Sequence, residues 1–331
     1  MTEPYDPLVW DDIAKEQASI GSVVRRVVPS LRHDVFVGEH RPGRERLLIL
    51  DLHEVAVGLP RKRPASMGLN MTVEAINQET TRIRLTSTTP QGNSIFQELA
   101  ADVVGVLADA PDEGAALRVV ERVLAWQAFL AQRPDDFSSD KAAGLYAELC
   151  VLAEAFIPRL GAVGGTVAWT GPDPALQDFQ LSDGAVEVKS FRGVGPGHLN
   201  ISSERQLDST GIQSLLVAYI RLDQRSQGSG DTLAEKIQSV RSQLGDSLFS
   251  QTAFDTKILS SGWHSSYSQI RDEKYEVLSK EIFGVTEGFP RLVPAMLPLG
   301  VGHVAYRIDR AALDDFLVPW EQFLAQLQEL R

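Results

Sequence analysis

The chain has 331 residues and a formal net charge of −12; 43% of its residues are hydrophobic and 23% charged, as in an ordinary globular protein long enough for two lobes. The acidic balance argues against a protein that coats nucleic acid through a general basic surface, but it leaves room for a local groove. The single cysteine, Cys150, excludes an internal disulfide and a cysteine-based zinc site. The N-terminus lacks the apolar region of a signal peptide, and the longest uncharged run, residues 292–306, is too short to cross a bilayer. We therefore expect a cytoplasmic protein with no membrane partner.

The first lobe, predicted over residues 1–135, begins with short stretches of β-branched or alternating residues and continues with helical periodicity. A basic patch at residues 61–63 lies between two prolines, and it fits either a solvated loop or a DNA contact. The lobe shows no recognisable chemistry. Its predicted strands cover residues 33–37, 47–52, 71–77 and 81–86, and its predicted helices cover residues 95–108 and 113–131.

The second lobe, predicted over residues 136–331, opens with a helix from about residue 140 to 157, which Pro158 is expected to end. An apolar stripe repeats along this helix at Leu145, Leu149, Leu152 and Phe156. At about 100° per residue, Glu148 lies on the border of the stripe and Glu154 points to solvent. Glu148 is therefore either an acid that extends from the core edge to water or an acid directed at a site beside the core.

Residues 178–190 predict a hairpin, because Asp183-Gly184 is a signal for a two-residue type I′ turn. In that register Asp178 lies opposite Lys189, and Glu187 lies diagonally across from Asp178 on the same face. The face is expected to be open to solvent. It fits either an ordinary polar strand face or a site where two carboxylates and an ammonium meet one ion.

Three further segments follow the hairpin. The glycine-rich residues 193–197 lack the lysine and the spacing of a phosphate-binding loop. A helix is predicted to begin at residues 202–203, where Ser203 and Gln206 have capping-box spacing. The apolar residues 214–220 predict a buried, central strand. We therefore expect an α/β (α+β) domain with a mixed sheet flanked by helices.

This order of acids and lysine on a helix and two strands resembles the PD-(D/E)XK phosphodiesterase superfamily, the fold of many restriction endonucleases. The chain resembles more closely one bacterial family of that superfamily, often found among restriction and phage-defence genes. The resemblance covers most of the chain and implies a restriction-endonuclease-like fold. The matching segments are Gly144-Leu-Tyr-Ala-Glu148-Leu, Trp169-Thr-Gly171, Asp178-Phe179, Glu187-Val-Lys189, Ile201-Ser-Ser-Glu-Arg-Gln206-Leu and Phe289-Pro-Arg291.

The resemblance implies a role for each matching residue. Asp178 and Glu187 would be metal-binding carboxylates, Lys189 the catalytic lysine, Glu148 an outer carboxylate and Gln206 a helper. The metal would be Mg²⁺ or Mn²⁺, and the Val188 carbonyl would supply a further oxygen ligand.

Two features depart from the superfamily pattern. The literal Pro-Asp pair is Pro172-Asp173, whereas Gln177 stands before Asp178. Asp178 is preferred because the predicted turn places it on the face of Glu187. The interval between Asp178 and Glu187 is also short for the superfamily, which is consistent with a tight hairpin.

Two functions remain open at this point. The first is a metal-dependent DNA endonuclease of a restriction or phage-defence system, working with partner proteins and compatible with an oligomer. The second is a non-catalytic DNA-binding or assembly subunit of such a system. The intact Asp, Glu and Lys favour the nuclease, whereas the acidic charge favours the subunit or a nuclease that depends on a partner.

Overall fold

The computed structural model describes residues 5–16, 20–54, 68–88, 93–108, 113–131, 137–171, 175–193, 195–225, 229–264 and 273–329. The chain divides into two compact units, Met1–Arg133 and Pro134–Arg331. The predicted basic patch at residues 61–63 and the pair Pro172-Asp173 lie outside the described residues.

The first unit contains an antiparallel sheet of five strands in the order β1-β2-β3-β5-β4. The four predicted strands and both predicted helices are confirmed. The strand β1 and the helix α1 were missed, since the exposed valines and arginines of β1 do not alternate cleanly. The elements are α1 (Val9–Lys15), β1 (Gly21–Val27), β2 (Asp34–Arg41), β3 (Glu45–Leu52), β4 (Leu69–Ala75), β5 (Thr81–Ser87), α2 (Asn93–Ala108) and α3 (Ala115–Ala131).

The second unit is built on a mixed sheet. Its helices are α4 (Ser139–Val151), α5 (Ile157–Ala168), α6 (Leu233–Gln243), α7 (Leu248–Ser260) and α8 (Trp320–Glu329), with 3₁₀ turns at Pro294–Met296 and Arg310–Phe316. Its strands are β6 (Phe179–Gln180), β7 (Gly184–Arg192), β8 (His198–Ile201), β9 (Ser214–Arg225), β10 (Asp231–Thr232), β11 (Lys274–Gly284), β12 (Tyr306–Asp309) and β13 (Leu317–Val318). The main sheet runs β10-β11-β9-β7-β6 with β13 beside β11, and β8 pairs with β12.

The first helix of this unit does not end at Pro158 as predicted. A π-helical turn, Leu152–Phe156, joins α4 to α5, and Pro158 lies in the first turn of α5. Proline is tolerated there because the π-helical turn just before it already interrupts the regular hydrogen bonds of the helix. The helix continues beyond Pro158 to Ala168, with a kink where Gly161 has a φ of 75°.

The continuous helical segment Ser139–Ala168 is long and apolar enough to cross a membrane by length and composition alone. Its apolar stripe is buried in the protein core instead, including Leu145, Leu149, Leu152 and Phe156. Glu154 is exposed, as predicted, and forms an ion pair with Lys280.

The two faces of β7 pack in separate layers. β7 and β9 are parallel neighbours, and β9 is the predicted central strand. One face carries Val186 and Val188 into the core formed with the helices. The other face carries Ala185 into a core shared with β8 and β12. The predicted α+β architecture, with a mixed sheet flanked by helices, is confirmed.

Candidate functional site

The hairpin that carries the predicted site has a different register from the predicted one. Phe179 pairs with Val186, whereas the prediction paired it with Val188. The Leu181 N–H donates to the Gly184 carbonyl at 2.8 Å, so the turn is centred on residues 182–183.

The predicted type I′ turn at Asp183-Gly184 is wrong because Gly184 belongs to β7. Gly184 pairs with Ser214 at the start of β9, and the Asp183 carbonyl accepts the N–H groups of Gln213 and Ser214. Neither Asp183 nor Gly184 has a positive φ. The parallel neighbour β9 therefore fixes the end of the strand.

The shift between the two registers is two residues, which preserves the face of every side chain because strands alternate with a period of two. Asp178 and Glu187 thus remain on one face of the sheet, as predicted. The expectation that this face is open is wrong: Glu187 is 1% exposed. The layer formed by β8 and β12 packs on the same face beside Ala185, whereas Asp178 and Lys189 stay half-buried.

Lys189 lies between two partners. Its Nζ is 2.6 Å from Glu187 Oε1 and donates to Gln206 Oε1 at 3.0 Å. The predicted helix at residues 202–203 does not form, so Gln206 is not a helix cap. Gln206 Oε1 accepts a second hydrogen bond, from the backbone N–H of Ser202, at 3.0 Å.

Glu187 is the least satisfied acid of the group. Its Oε2 is buried and has no hydrogen-bond partner among the described residues. Burial, and after it the nearby charge of Asp178, raise the pKa of Glu187 to about 8 against the opposing effect of Lys189. A buried carboxylate with a free oxygen is costly unless a cation or a proton completes it.

Asp178 is held at the outer edge of β7. Its Oδ2 accepts the backbone N–H of Val188 at 2.7 Å, and its carbonyl accepts the Thr170 N–H at 2.8 Å. Burial raises the pKa of Asp178, while the bond from Val188 and the charge of Lys189 lower it. The N–H and C=O of one residue point to the same edge of a strand, so the Val188 carbonyl lies on the edge that Asp178 occupies.

Glu148 reaches the same group from α4. The Trp169 indole Nε1 donates to Glu148 Oε2 at 2.9 Å. The pKa of Glu148 is raised well above its ordinary value, first by burial and then by the charge of Asp178, with a smaller contribution from Glu187. A Cβ on Gly171 would lie 2.2 Å from Glu148 Oε2, so a larger residue at that position would displace the Glu148 carboxylate.

Trp169 is fully buried, and its hydrogen bond to Glu148 was not foreseen from the sequence. The position of Trp169, after a helix that carries an acid and before a strand that carries another, is the sequence signal that could have indicated this contact. The structure thus gathers all the predicted site residues: Glu148, Asp178, Glu187, Val188, Lys189 and Gln206.

The fit of a divalent cation rests on the donor set. Among the described residues, no three acidic, histidine or cysteine side chains form a ready metal site. The group nevertheless supplies hard carboxylate oxygens, the donors that Mg²⁺ prefers. One of them, Glu187 Oε2, lacks a partner, and the acids raise one another's pKa. The chemistry of these donors is therefore suited to a divalent cation.

A family model described as "Putative PD-(D/E)XK family member, (DUF4420)" matches residues 8–311. The chain belongs to this family. The match covers most of the chain and includes every residue of the group above. No curated protein and no solved structure shows significant similarity to the chain. The family places the protein among PD-(D/E)XK nuclease-like proteins.

Proposed function

We propose that this protein hydrolyses phosphodiester bonds of DNA with Mg²⁺ or Mn²⁺, as an endonuclease of a restriction or phage-defence system. The observation that carries the proposal is Glu187, a buried acid with one partnerless oxygen beside a lysine and two further acids. A group with such strongly perturbed ionisation is costly to fold and is typical of functional sites. Family membership supports the phosphodiester substrate.

The residues that would hold the cation are Asp178 and Glu187, with the Val188 carbonyl between them and Glu148 as the outer carboxylate. A bound divalent cation would screen the phosphate charge and lower the pKa of the attacking water. The acids converge from α4, the β6 side and β7, so the elements that form the core also fix the spacing of the donors.

Lys189 has the catalytic role. Its ammonium, held by Gln206, orients the attacking water and stabilises the negative charge that develops on the phosphate oxygens. Gln206 limits the positions of the flexible lysine side chain, which lowers the cost of ordering it.

Partner proteins belong to the proposal because the charge of −12 opposes DNA binding by the chain alone. The alternative, a non-catalytic DNA-binding or assembly subunit, does not need the Lys189–Glu187 pair. Burying such an ion pair costs more desolvation than an apolar pair of similar size, so its presence favours the nuclease.

Thermal melts with and without Mg²⁺ or Mn²⁺ test the metal site. Wild type is expected to gain roughly 2.7 kcal/mol of stability at about 100 times the dissociation constant. Asp178→Asn keeps an oxygen acceptor for the Val188 N–H but removes a charge, so it should lose most of this gain and melt at or above wild type in EDTA. Asp183→Asn is the matched control, since Asp183 is an exposed acid in the same hairpin.

Cleavage of methylated and unmethylated plasmid by wild type and Asp178→Asn completes the test. Metal-dependent nicking by wild type that the variant lacks is the expected result. If wild type shows neither a metal shift nor cleavage, the proposal is wrong and the subunit function takes its place.

A further inference from the structure

Arg205 has an unusual environment among the arginines of the second unit. Most arginines there with described side chains make a hydrogen bond or an ion pair: Arg192, Arg221, Arg241, Arg291, Arg307 and Arg310. Within the described part of the second unit, the side chains of Arg205 and Arg159 have neither. Arg205 is also exposed. An arginine without an acid is notable in a chain with a net charge of −12.

The loop that carries Arg205 is fixed on both sides. The buried Glu204 accepts the Val304 N–H at 2.9 Å. The Gln206 carbonyl accepts the side-chain amide of Gln177 at 3.2 Å. The backbone on both sides of Arg205 is therefore held by hydrogen bonds, and its side chain is exposed from this fixed position.

A second set of contacts anchors the end of the same loop. Arg291 donates to the Leu207 carbonyl at 2.6 Å and to Ser209 Oγ at 3.1 Å. Asp208, the loop acid nearest to Arg205 after Glu204, accepts two hydrogen bonds from Thr210. Both acids of the loop are thus engaged by other donors, which leaves the guanidinium of Arg205 available to an external anion.

The loop also connects Arg205 to the candidate site. The next residue, Gln206, holds Lys189 at 3.0 Å. Consecutive Cα atoms are about 3.8 Å apart, so an anion bound by Arg205 would lie within the reach of one arginine side chain from Gln206, the residue that holds Lys189. Guanidinium is suited to phosphate, because its planar donors bind two phosphate oxygens at once.

We propose that Arg205 binds a DNA backbone phosphate next to the one that is hydrolysed, and so sets the position of the strand across the site. This inference rests on the proposed function. Arg205 contributes a phosphate contact that carries no sequence information, since such contacts fix register and orientation.

Fluorescence anisotropy with a short duplex in EDTA, over a series of salt concentrations, tests the contact without cleavage. Arg205→Gln is expected to weaken binding about 10-fold, as the loss of a charge-assisted hydrogen bond does. It should also reduce the slope of log affinity against log salt by about 0.9, the value for one phosphate contact. Arg205→Lys should keep the slope and recover only part of the affinity.

Arg159→Gln is the matched control, because Arg159 in α5 likewise lacks an ion pair among the described residues and lies about 16 Å along the helical segment from Glu148. Its slope should equal that of wild type. An unchanged slope in Arg205→Gln, or an equal loss in Arg159→Gln, overturns the inference while plasmid cleavage by wild type leaves the proposed function standing. If wild type neither binds nor cleaves DNA, the proposed function fails and this inference fails with it.

Discussion

Two acidic groups beside tryptophans, one in each unit, show how differently a fold can treat a partly buried carboxylate. In the first unit Asp102 accepts two bonds from Arg122, both at 2.6 Å, and one from the Trp126 indole at 2.7 Å. Both oxygens are satisfied and the charge is balanced by a guanidinium. This is the geometry of a stabilising ion pair that ties α2 to α3.

In the second unit the carboxylate oxygens of three acids outnumber their donors, which are the Trp169 indole, the Val188 N–H and Lys189. Glu148 has the Trp169 indole as its donor. Glu187 has Lys189 on one oxygen and, among the residues that the structure describes, no partner on the other. The difference indicates that burial of acids is not by itself a functional signal. A deficit of donors around buried acids is a functional signal, because the unbalanced charge opposes folding until a ligand balances it.

The largest effect that separates the two groups is expected at Lys189. Lys189→Ala should reduce the plasmid cleavage rate by about 10²- to 10⁴-fold, the range for a positioned catalytic group. It should retain metal-dependent stabilisation, since its role is with water and the developing charge. The control is Lys141→Ala, an exposed lysine on α4. Undiminished cleavage by Lys189→Ala would remove the lysine from the mechanism.

The pH dependence of stability should also distinguish the groups. The pKa of Glu187 rises from 4.5 to about 8 on folding, so between these values the native state keeps a proton that the unfolded chain has lost. In EDTA, stability should therefore fall as pH rises through this window, by up to about 1.4 kcal/mol per pH unit. Urea unfolding of Glu187→Gln should show a shallower slope, because only Glu148 and Asp178, whose pKa values are also raised, then contribute to it; Asp183→Asn should keep the full slope. An equal slope in Glu187→Gln would contradict the prediction.

In the first unit, Arg122→Leu should lower the free energy of unfolding by about 3 kcal/mol, because it leaves Asp102 without its cation. It should not alter the stabilisation by Mg²⁺ or Mn²⁺. Denaturant unfolding with and without metal measures both quantities. Loss of the metal-dependent stabilisation in this variant would show that the Asp102–Arg122 ion pair contributes to metal binding.

The smallest effect is expected at two glycines. Gly171→Ala places a Cβ against Glu148 and should cost about 1–2 kcal/mol as the Trp169 bond is displaced. Gly144→Ala is the matched control: a Cβ there meets nothing within 4 Å, and alanine in α4 should stabilise by about 0.5–1 kcal/mol. Opposite signs in urea unfolding are expected. Equal stabilities of the two variants would disprove the close packing of Glu148.

The sequence predicted the shared face of Asp178 and Glu187 although it placed the turn wrongly. The reason is that a register error of two residues leaves the faces unchanged. The actual turn could not be predicted because it depends on β9, about 30 residues later, which pairs with Gly184. The open face was predicted wrongly for a similar reason: β8 and β12 cover it, and β12 lies more than 100 residues along the chain.

The helices show the same limit. The apolar stripe of α4 correctly placed Glu148 at the border of the core. The role of Pro158 could not be predicted from the sequence, because proline is found both where helices end and in their first turn. The contacts of Gln206 with Lys189 and of Trp169 with Glu148 join segments that are distant in sequence. Such side-chain partners follow from tertiary packing, which periodicity does not encode.

The short strand β6 has a consequence for self-association. The main sheet ends at both edges in strands of two residues, β6 and β10, which offer a foreign strand few backbone groups to pair with. Beyond β6, the Val188 N–H would be free to recruit another chain, but Asp178 occupies it. An apolar substitution of Asp178 would release that donor at the sheet edge and favour aggregation, whereas asparagine would not. Solubility and the proposed chemistry therefore constrain the same side chain.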